Sequence, residues 1–195
     1  MKKNIVFATG NQHKVKEINA IMGQDYIFQS LSDIGCYVDI PETADTVEGN
    51  AIQKAQYVRD HYQLPCFAED TGLFIPAIGG EPGIYSARYA GPEKNAQNNM
   101  SLVLDKLHGH TDRGAYFKTI IAFIDETDTY VFEGRIDGVI LQEPIGDSGF
   151  GYDPIFQPRG YSSSFAQMDL AVKASISHRF LATQKFHEFL KQYPL

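Results

Sequence analysis

The sequence predicts an α/β fold: a mixed central β-sheet flanked by helices. Three observations predict it. The chain opens with an apolar run, Ile5-Val6-Phe7-Ala8, then the polar turn Thr9-Gly10-Asn11, then a segment with apolar residues at Val15, Ile18, Ile21 and Met22. That is a strand followed by a helix, the beginning of a parallel arrangement. Further on, Phe117–Asp125 and Thr129–Ile140 are separated only by Glu126-Thr127-Asp128, the spacing of a hairpin. Finally, the 195 residues are 43% hydrophobic. A chain of that size builds one domain with a sizeable core, with room for a division into two lobes.

Each element follows from local pattern. Strands are expected at Asn4–Ala8, Ile27–Ser30, Cys66–Glu69, Ala115–Asp125, Tyr130–Ile140 and Pro154–Phe156. Helices are expected at Lys14–Met22, Val47–His61, Lys94–Leu107 and His178–Tyr193. The last carries the apolar stripe Ala182, Phe186, Phe189, Leu190 and Tyr193, with Ser177 as its N-cap. The Gly- and Pro-rich stretches Ile78–Gly83 and Glu143–Asp153 read as shaped loops. There is no internal repeat, low-complexity tract or interdomain linker, so residues 1–195 are expected to form a single domain.

Composition excludes several classes of function. The formal net charge is -7. A protein that grips long nucleic acid carries a basic face, and this chain has no Lys/Arg run beyond Lys2-Lys3. Its isolated cations Lys14, Lys54, Lys173 and Arg179 suit a small polyanion better than a polymer. No stretch approaches the ~20 apolar residues of a membrane span. Asn4 and Thr9-Gly10-Asn11 interrupt any apolar run after Met1-Lys2-Lys3, so a secretory signal is not expected. Cys36 and Cys66 stand alone, which fits a reducing cytoplasm with both thiols buried or inert.

Four islands carry candidate chemistry. In the first, a strand runs through Gly10 into a helix that begins near Lys14. A Gly turn lets backbone approach a ligand, and helix-start N–H groups favour an anion. An ordinary strand–helix turn with a solvated Lys reads the same way. In the second, Glu42 precedes a helix, and Asp70 follows Cys66-Phe67-Ala68 at what reads as a strand end, where α/β sheets keep their sites. Paired carboxylates suit Mg²⁺, although each acid alone reads as a cap or a surface charge. Asn50 and Lys54, four apart, share one helix face beside Ala51 and Ala55. That face lines an anionic cleft or forms a polar outer surface, and the helix alone favours the latter. In the third, Ser148-Gly149-Phe150-Gly151-Tyr152-Asp153-Pro154 either presents Phe150 to a planar ring or plugs the core with it. In the fourth, Lys173 precedes the last helix, and His178 and Arg179 occupy its first turn. Cations there oppose the helix dipole, as expected of a site rather than of stability. His178 also reads as a capping or packing residue.

Taken together and in order, these islands resemble the inosine triphosphate pyrophosphatase family, the XTP/dITP diphosphatases. The resemblance rests on Thr9-Gly10-Asn11 with Lys14, Glu42-Thr43, Asn50-Ala51 with Lys54-Ala55, and Asp70-Thr71-Gly72-Leu73. It continues through Pro82-Gly83-Ile84-Tyr85-Ser86-Ala87-Arg88-Tyr89-Ala90-Gly91, Phe150-Gly151-Tyr152-Asp153-Pro154-Ile155-Phe156, Phe165-Ala166 and Ser177-His178-Arg179. It implies two lobes with an active-site cleft between them, a cytoplasmic homodimer and Mg²⁺ dependence. The implied reaction converts a deaminated purine nucleoside triphosphate and water to the monophosphate and pyrophosphate. Thr9, Gly10, Asn11, Gln12, His13, Lys14 and Lys54 would hold the phosphates. Glu42 and Asp70 would hold the metal, with Asp70 also the base. Thr71, Phe150, Gly151, Tyr152, Asp153, Lys173, His178 and Arg179 would hold the nucleoside.

The chain departs from the family pattern at Gly49, Glu69, Thr71, Gln167 and Val172. With Val172 where Glu is frequent, Lys173 is expected to lack its usual ion-pair partner. Two other readings compete. One is a pyrophosphatase of similar fold for other modified nucleotides, and the other is a nucleotide-binding module that does not hydrolyse. The pair Glu42 and Asp70 argues for hydrolysis, and Phe150 with Ser177-His178-Arg179 argues for purines. There is no G-x-x-x-x-G-K-[ST], so a P-loop ATPase is not supported.

Overall fold

A computed structural model describes residues 3–193. The side chains of Gln12, His13, Glu17, Ala20 and Ile21 also lie outside the described residues. In chain order the elements are β1 (Lys3–Phe7), α1 (Gln12–Met22), β2 (Tyr26–Gln29), α2 (Val47–Tyr62), β3 (Cys66–Phe74), β4 (Pro82–Gly83), α3 (Ala96–Lys106), β5 (Gly114–Ile124), β6 (Thr129–Ile140), β7 (Phe156–Pro158), α4 (Leu170–Ile176) and α5 (His178–Gln192). The strand order is β2-β1-β3-β5-β6-β7, with β4 paired to β3. β1 runs parallel to β2 and β3, whereas β3–β4 and β6–β7 are antiparallel, so the sheet is mixed as expected.

Local chemistry sets most boundaries. Thr46 caps α2, its hydroxyl accepting the Gly49 N–H at 2.9 Å. The helix stops where Gln63 takes φ 55. α3 starts at Ala96 and not at Lys94, because Lys94 has φ 53 and Asn95 is the cap, accepting the Asn98 N–H at 3.0 Å. Between β5 and β6, Asp125 Oδ1 accepts the N–H groups of Thr127 and Asp128 at 2.7 and 2.8 Å. Ser177 caps α5 as expected, accepting the Phe180 N–H at 3.1 Å.

Three expectations need correction. β3 does not end at Glu69 but continues to Phe74, so Asp70 and Thr71 lie within the strand. The strand expected at Pro154–Phe156 is a 3-10 turn, Asp153–Ile155, with β7 starting only at Phe156. Proline has no N–H for a ladder and suits the first turn of a helix. α4 was not expected at all. None of its residues is buried, and Leu170 is 70% exposed, so it lacks the apolar stripe that marks a helix in sequence.

The chain divides into two compact units. The first comprises Met1–Asp70, Ile120–Glu133 and Ala182–Leu195, and the second Thr71–Thr119 and Gly134–Leu181. In the first unit, Ile5 and Phe7 join one apolar cluster with Phe67, Phe123, Phe186 and Leu190, while Val6 and Ala8 join another with Ala55, Val58, Cys66 and Ile124. Successive side chains of a strand point to opposite faces. β1 is therefore covered on both sides, which is why Ile5–Ala8 is continuously apolar. The expected stripe of α5 packs into the first cluster through Ala182, Phe186 and Leu190. The second unit has its own cluster, including Leu73, Val103, Leu107, Phe117, Phe156 and Phe165. Among the described residues, no helix is long and apolar enough to cross a membrane.

Candidate active site

In the first unit the site is built around Lys54. Helix α2 turns Asn50 and Lys54 inward, leaving them 1% and 9% exposed, while Ala51 and Ala55 are fully buried. The reading of this face as a polar outer surface is therefore incorrect. Lys54 Nζ lies 2.5 Å from Glu42 Oε1, 2.9 Å from the Glu69 carbonyl oxygen and 3.4 Å from Asp70 Oδ1. An ammonium has three donors, and three acceptors converge on this one. Asn50 joins the same network, accepting the Ala44 N–H at 3.0 Å and donating to Asp70 Oδ2 at 3.5 Å. Gln53 accepts the Thr43 N–H at 3.0 Å and donates to the Thr43 hydroxyl at 2.9 Å. The loop that carries Glu42 is thus tied to α2 through the two residues that follow it. Gly49 is explained here too, since a Cβ there would stand 2.6 Å from the Ala44 Cβ.

Lys14 pairs with Glu69 Oε1 at 3.4 Å, and the Glu69 side chain is 1% exposed. Glu69 is a buried acid that sequence reading noted only as a departure. Its signal was an acid directly after Cys66-Phe67-Ala68, in a run too apolar for a solvated charge. Asn11 Oδ1 accepts the Lys14 N–H at 3.4 Å, and Thr9 Oγ1 accepts the Asn11 N–H at 3.1 Å. Gly10 does not take a left-handed conformation, since its φ is not positive. A Cβ there would meet nothing within 4 Å, so the backbone is bare on that side. The side chains of Gln12 and His13, expected to help hold phosphate, lie outside the described residues.

Burial pushes the Asp70 carboxyl above its ordinary range, and the Glu42 charge adds to that. The ammonium groups of Lys54 and Lys14 oppose it. The donor set here is hard carboxylate oxygen, with Glu42 and Asp70 both reaching the Lys54 ammonium. Among the described residues, no group of three or more His, Cys, Asp or Glu side chains is gathered to hold a metal. Two carboxylates suffice for a cation of the Mg²⁺ class when substrate phosphates and water complete the shell.

The second unit carries the other expected residues. Phe150 is 62% exposed, so it does not plug the core. Lys173 Nζ and Arg179 Cζ stand 5.0 and 5.6 Å from its ring centroid. Lys173 precedes the last helix as expected, and it lies within the short helix α4. It does not lack a partner, since its ammonium meets Asp153 Oδ2 at 2.5 Å. Val172, in turn, is simply exposed. Gln167 accepts the Ser164 N–H at 3.0 Å, a role its amide fills without a charge. Tyr152 is buried, its hydroxyl donating to the Ser86 carbonyl at 2.8 Å. Gly151 has φ +62, in the left-handed region that favours glycine. The Thr71 and Thr119 hydroxyls share a hydrogen bond of 2.7 Å. His178 is buried and stacks on Phe117 with ring centroids 4.7 Å apart.

These two clusters are each assembled from distant parts of the chain, Glu42, Lys54 and Asp70 in one and Phe150, Asp153 and Lys173 in the other. The sequence profile of the Ham1 family matches residues 5–189. The chain belongs to the Ham1 family. Among its relatives is a protein of Flavobacterium psychrophilum named dITP/XTP pyrophosphatase, 49% identical over 96% of this chain and 98% of its own length. A Porphyromonas gingivalis protein of the same name is 47% identical over 96% of this chain and 97% of its own length. The solved Staphylococcus aureus Ham1 protein is 38% identical with a TM-score of 0.93, covering 97% of this chain and 99% of that one. A Coxiella burnetii HAM1 protein reaches the same TM-score at 32% identity, covering 98% of this chain and all of that one. The Ham1 fold thus spans the described chain from β1 to α5.

Proposed function

We propose that this Ham1 chain hydrolyses deaminated purine nucleoside triphosphates, dITP, ITP and XTP, to the monophosphate and pyrophosphate. The observation that carries the reading is the convergence of Glu42 and Asp70 on Lys54, in a chain whose full-length relatives are named dITP/XTP pyrophosphatase. A binding module has no use for two carboxylates beside the cations that would grip a polyphosphate. Thr9, Gly10, Asn11, Lys14 and Lys54 hold the phosphates. Glu42 and Asp70 hold Mg²⁺, which when bound neutralises phosphate oxygens and eases departure of pyrophosphate. Asp70 also serves as the base that orients a water and takes its proton. Asn50 and Lys54 keep its carboxylate in place. Lys14 and Lys54 stabilise charge moving onto the leaving group.

At the base end, Phe150 stacks on the purine, with Thr71, Gly151, Tyr152 and His178 shaping that end. Lys173 and Arg179 offer only donors. Hypoxanthine and xanthine present a 6-carbonyl acceptor, whereas adenine presents a 6-amino donor that would leave those groups unpaired. The enzyme works as a single-domain chain in a homodimer. It resides in the cytoplasm, consistent with its two free, buried cysteines.

The test is pyrophosphate release from ITP, XTP, dITP, ATP and GTP with and without Mg²⁺. Release from the first three, dependent on Mg²⁺ and abolished by chelator, is expected, with ATP slower by at least 100-fold. Equal turnover of ATP, or binding of ITP without pyrophosphate release, would overturn the reading.

A further inference from the structure

We propose that Asp153 is a positioning residue that couples the exposed ring of Phe150 to the ammonium of Lys173, rather than a group that contacts the nucleotide. The inference rests on the functional reading above for the identity of the ligand. A single oxygen carries it. Asp153 Oδ2 accepts the Phe150 backbone N–H at 2.6 Å and the Lys173 ammonium at 2.5 Å. The acid that ties down the backbone beneath the ring therefore also ties the cation that stands 5.0 Å from the ring centroid.

The pair is withdrawn from water, with the Asp153 and Lys173 side chains 7% and 14% exposed. Removing one partner of such a pair leaves the other as an uncompensated charge, so the two hold each other in place. Apolar packing does only part of this work for Lys173, because α4 has no fully buried residue and leans on the core through the partly buried Ile176. Asp153 itself is held from several sides. It opens the 3-10 turn that Pro154 continues, and its carbonyl accepts the Ala166 N–H at 3.3 Å. Gly149 closes over it with φ +82, and a Cβ at Gly149 would stand 2.2 Å from Asp153 Oδ2. Lys173 has three donors, and Asp153 takes one. The others remain to meet an acceptor on a base stacked against Phe150. Ring and donor are thereby presented at a set distance, which is what preorganised recognition requires.

The experiment compares the parent, Asp153→Asn and Gly149→Ala. It measures KM and kcat for ITP, and inhibition by inorganic tripolyphosphate, which has no base. It also follows the rate at which acetic anhydride acylates Lys173 in the ligand-free protein, read by peptide mass spectrometry. Asp153→Asn should raise KM for ITP tenfold or more, with a smaller effect on kcat, and leave tripolyphosphate inhibition within twofold. Acylation of Lys173 should quicken at least threefold. Gly149→Ala keeps the charge but displaces the carboxylate, and lies in an exposed loop. It should reproduce the pattern, and it carries the test if Asp153→Asn does not fold. Equal losses of ITP and tripolyphosphate binding would assign Asp153 a general structural role and overturn the proposal. A raised KM with unchanged acylation would make Asp153 a direct nucleotide contact and also overturn it. A parent that does not hydrolyse ITP would sink the functional reading instead, while the acylation rates would still decide whether Asp153 holds Lys173.

Discussion

Lys54 shows how one residue acquires a role that its own helix does not reveal. On α2 it is a Lys four residues after Asn50, a pattern typical of a solvated face. In the fold, its ammonium is ringed by Glu42, Asp70 and the Glu69 carbonyl. Asp70 then sits between opposing influences, since burial and Glu42 raise its proton affinity while Lys54 and Lys14 lower it. Asp70→Asn removes the acid and keeps the shape. Turnover of ITP should fall by roughly 100-fold or more, with the circular dichroism spectrum unchanged. Near-parental turnover in the folded variant would remove Asp70 from the mechanism. At the base end, Phe150 and Arg179 divide affinity from selectivity. Stacking serves every purine, so Phe150→Ala should weaken ITP and ATP alike, by ~1–3 kcal/mol. Arg179 offers donors only, so Arg179→Ala should narrow the ITP-to-ATP ratio of kcat/KM. An unchanged ratio in Arg179→Ala, with a collapsed one in Phe150→Ala, would reverse the two roles.

Among the elements, those with a strong apolar period matched expectation closely, and those without one did not. Helices α2 and α5 begin where their caps, Thr46 and Ser177, place them. β3 outran its expected end because Glu69 and Asp70 look like strand terminators until Lys14 and Lys54 arrive from other elements to answer them. α4 was invisible because Leu170 and Val172 are exposed, while it is held inward by the Lys173–Asp153 ion pair and the partly buried Ile176, too little for an amphipathic period. The capping of α2 offers a test at this scale. Thr46→Ala deletes the acceptor for the Gly49 N–H and should cost about 1 kcal/mol. For a chain of this length that lowers Tm by ~2–4 °C. A Tm unchanged within 1 °C in thermal denaturation would mean that water replaces the hydroxyl without loss.

Across the whole molecule, the two cysteines report on the integrity of the first unit. Cys36 and Cys66 lie in the same buried cluster as Val6, Ala8, Ala55 and Val58. Burial pushes the Cys66 thiol up, so little of the reactive thiolate exists near neutral pH. Both thiols should resist a chromogenic disulfide reagent in the native protein and react together across the urea unfolding transition. Fast native labelling of either would contradict the packing. The sequence by itself determined the mixed α/β class, the strand–helix opening, the hairpin and the residues that carry the Ham1 motifs. Those features depend on local period, on turn spacing and on residue identity, all of which survive in one dimension. Tertiary structure alone decided that Lys54 faces inward, that Glu69 is a buried partner of Lys14 and that Lys173 is anchored by Asp153 and not by position 172. Each of those outcomes depends on a charge leaving water. A charge leaves water only when a partner, remote in sequence, is brought within hydrogen-bonding distance to replace the lost hydration.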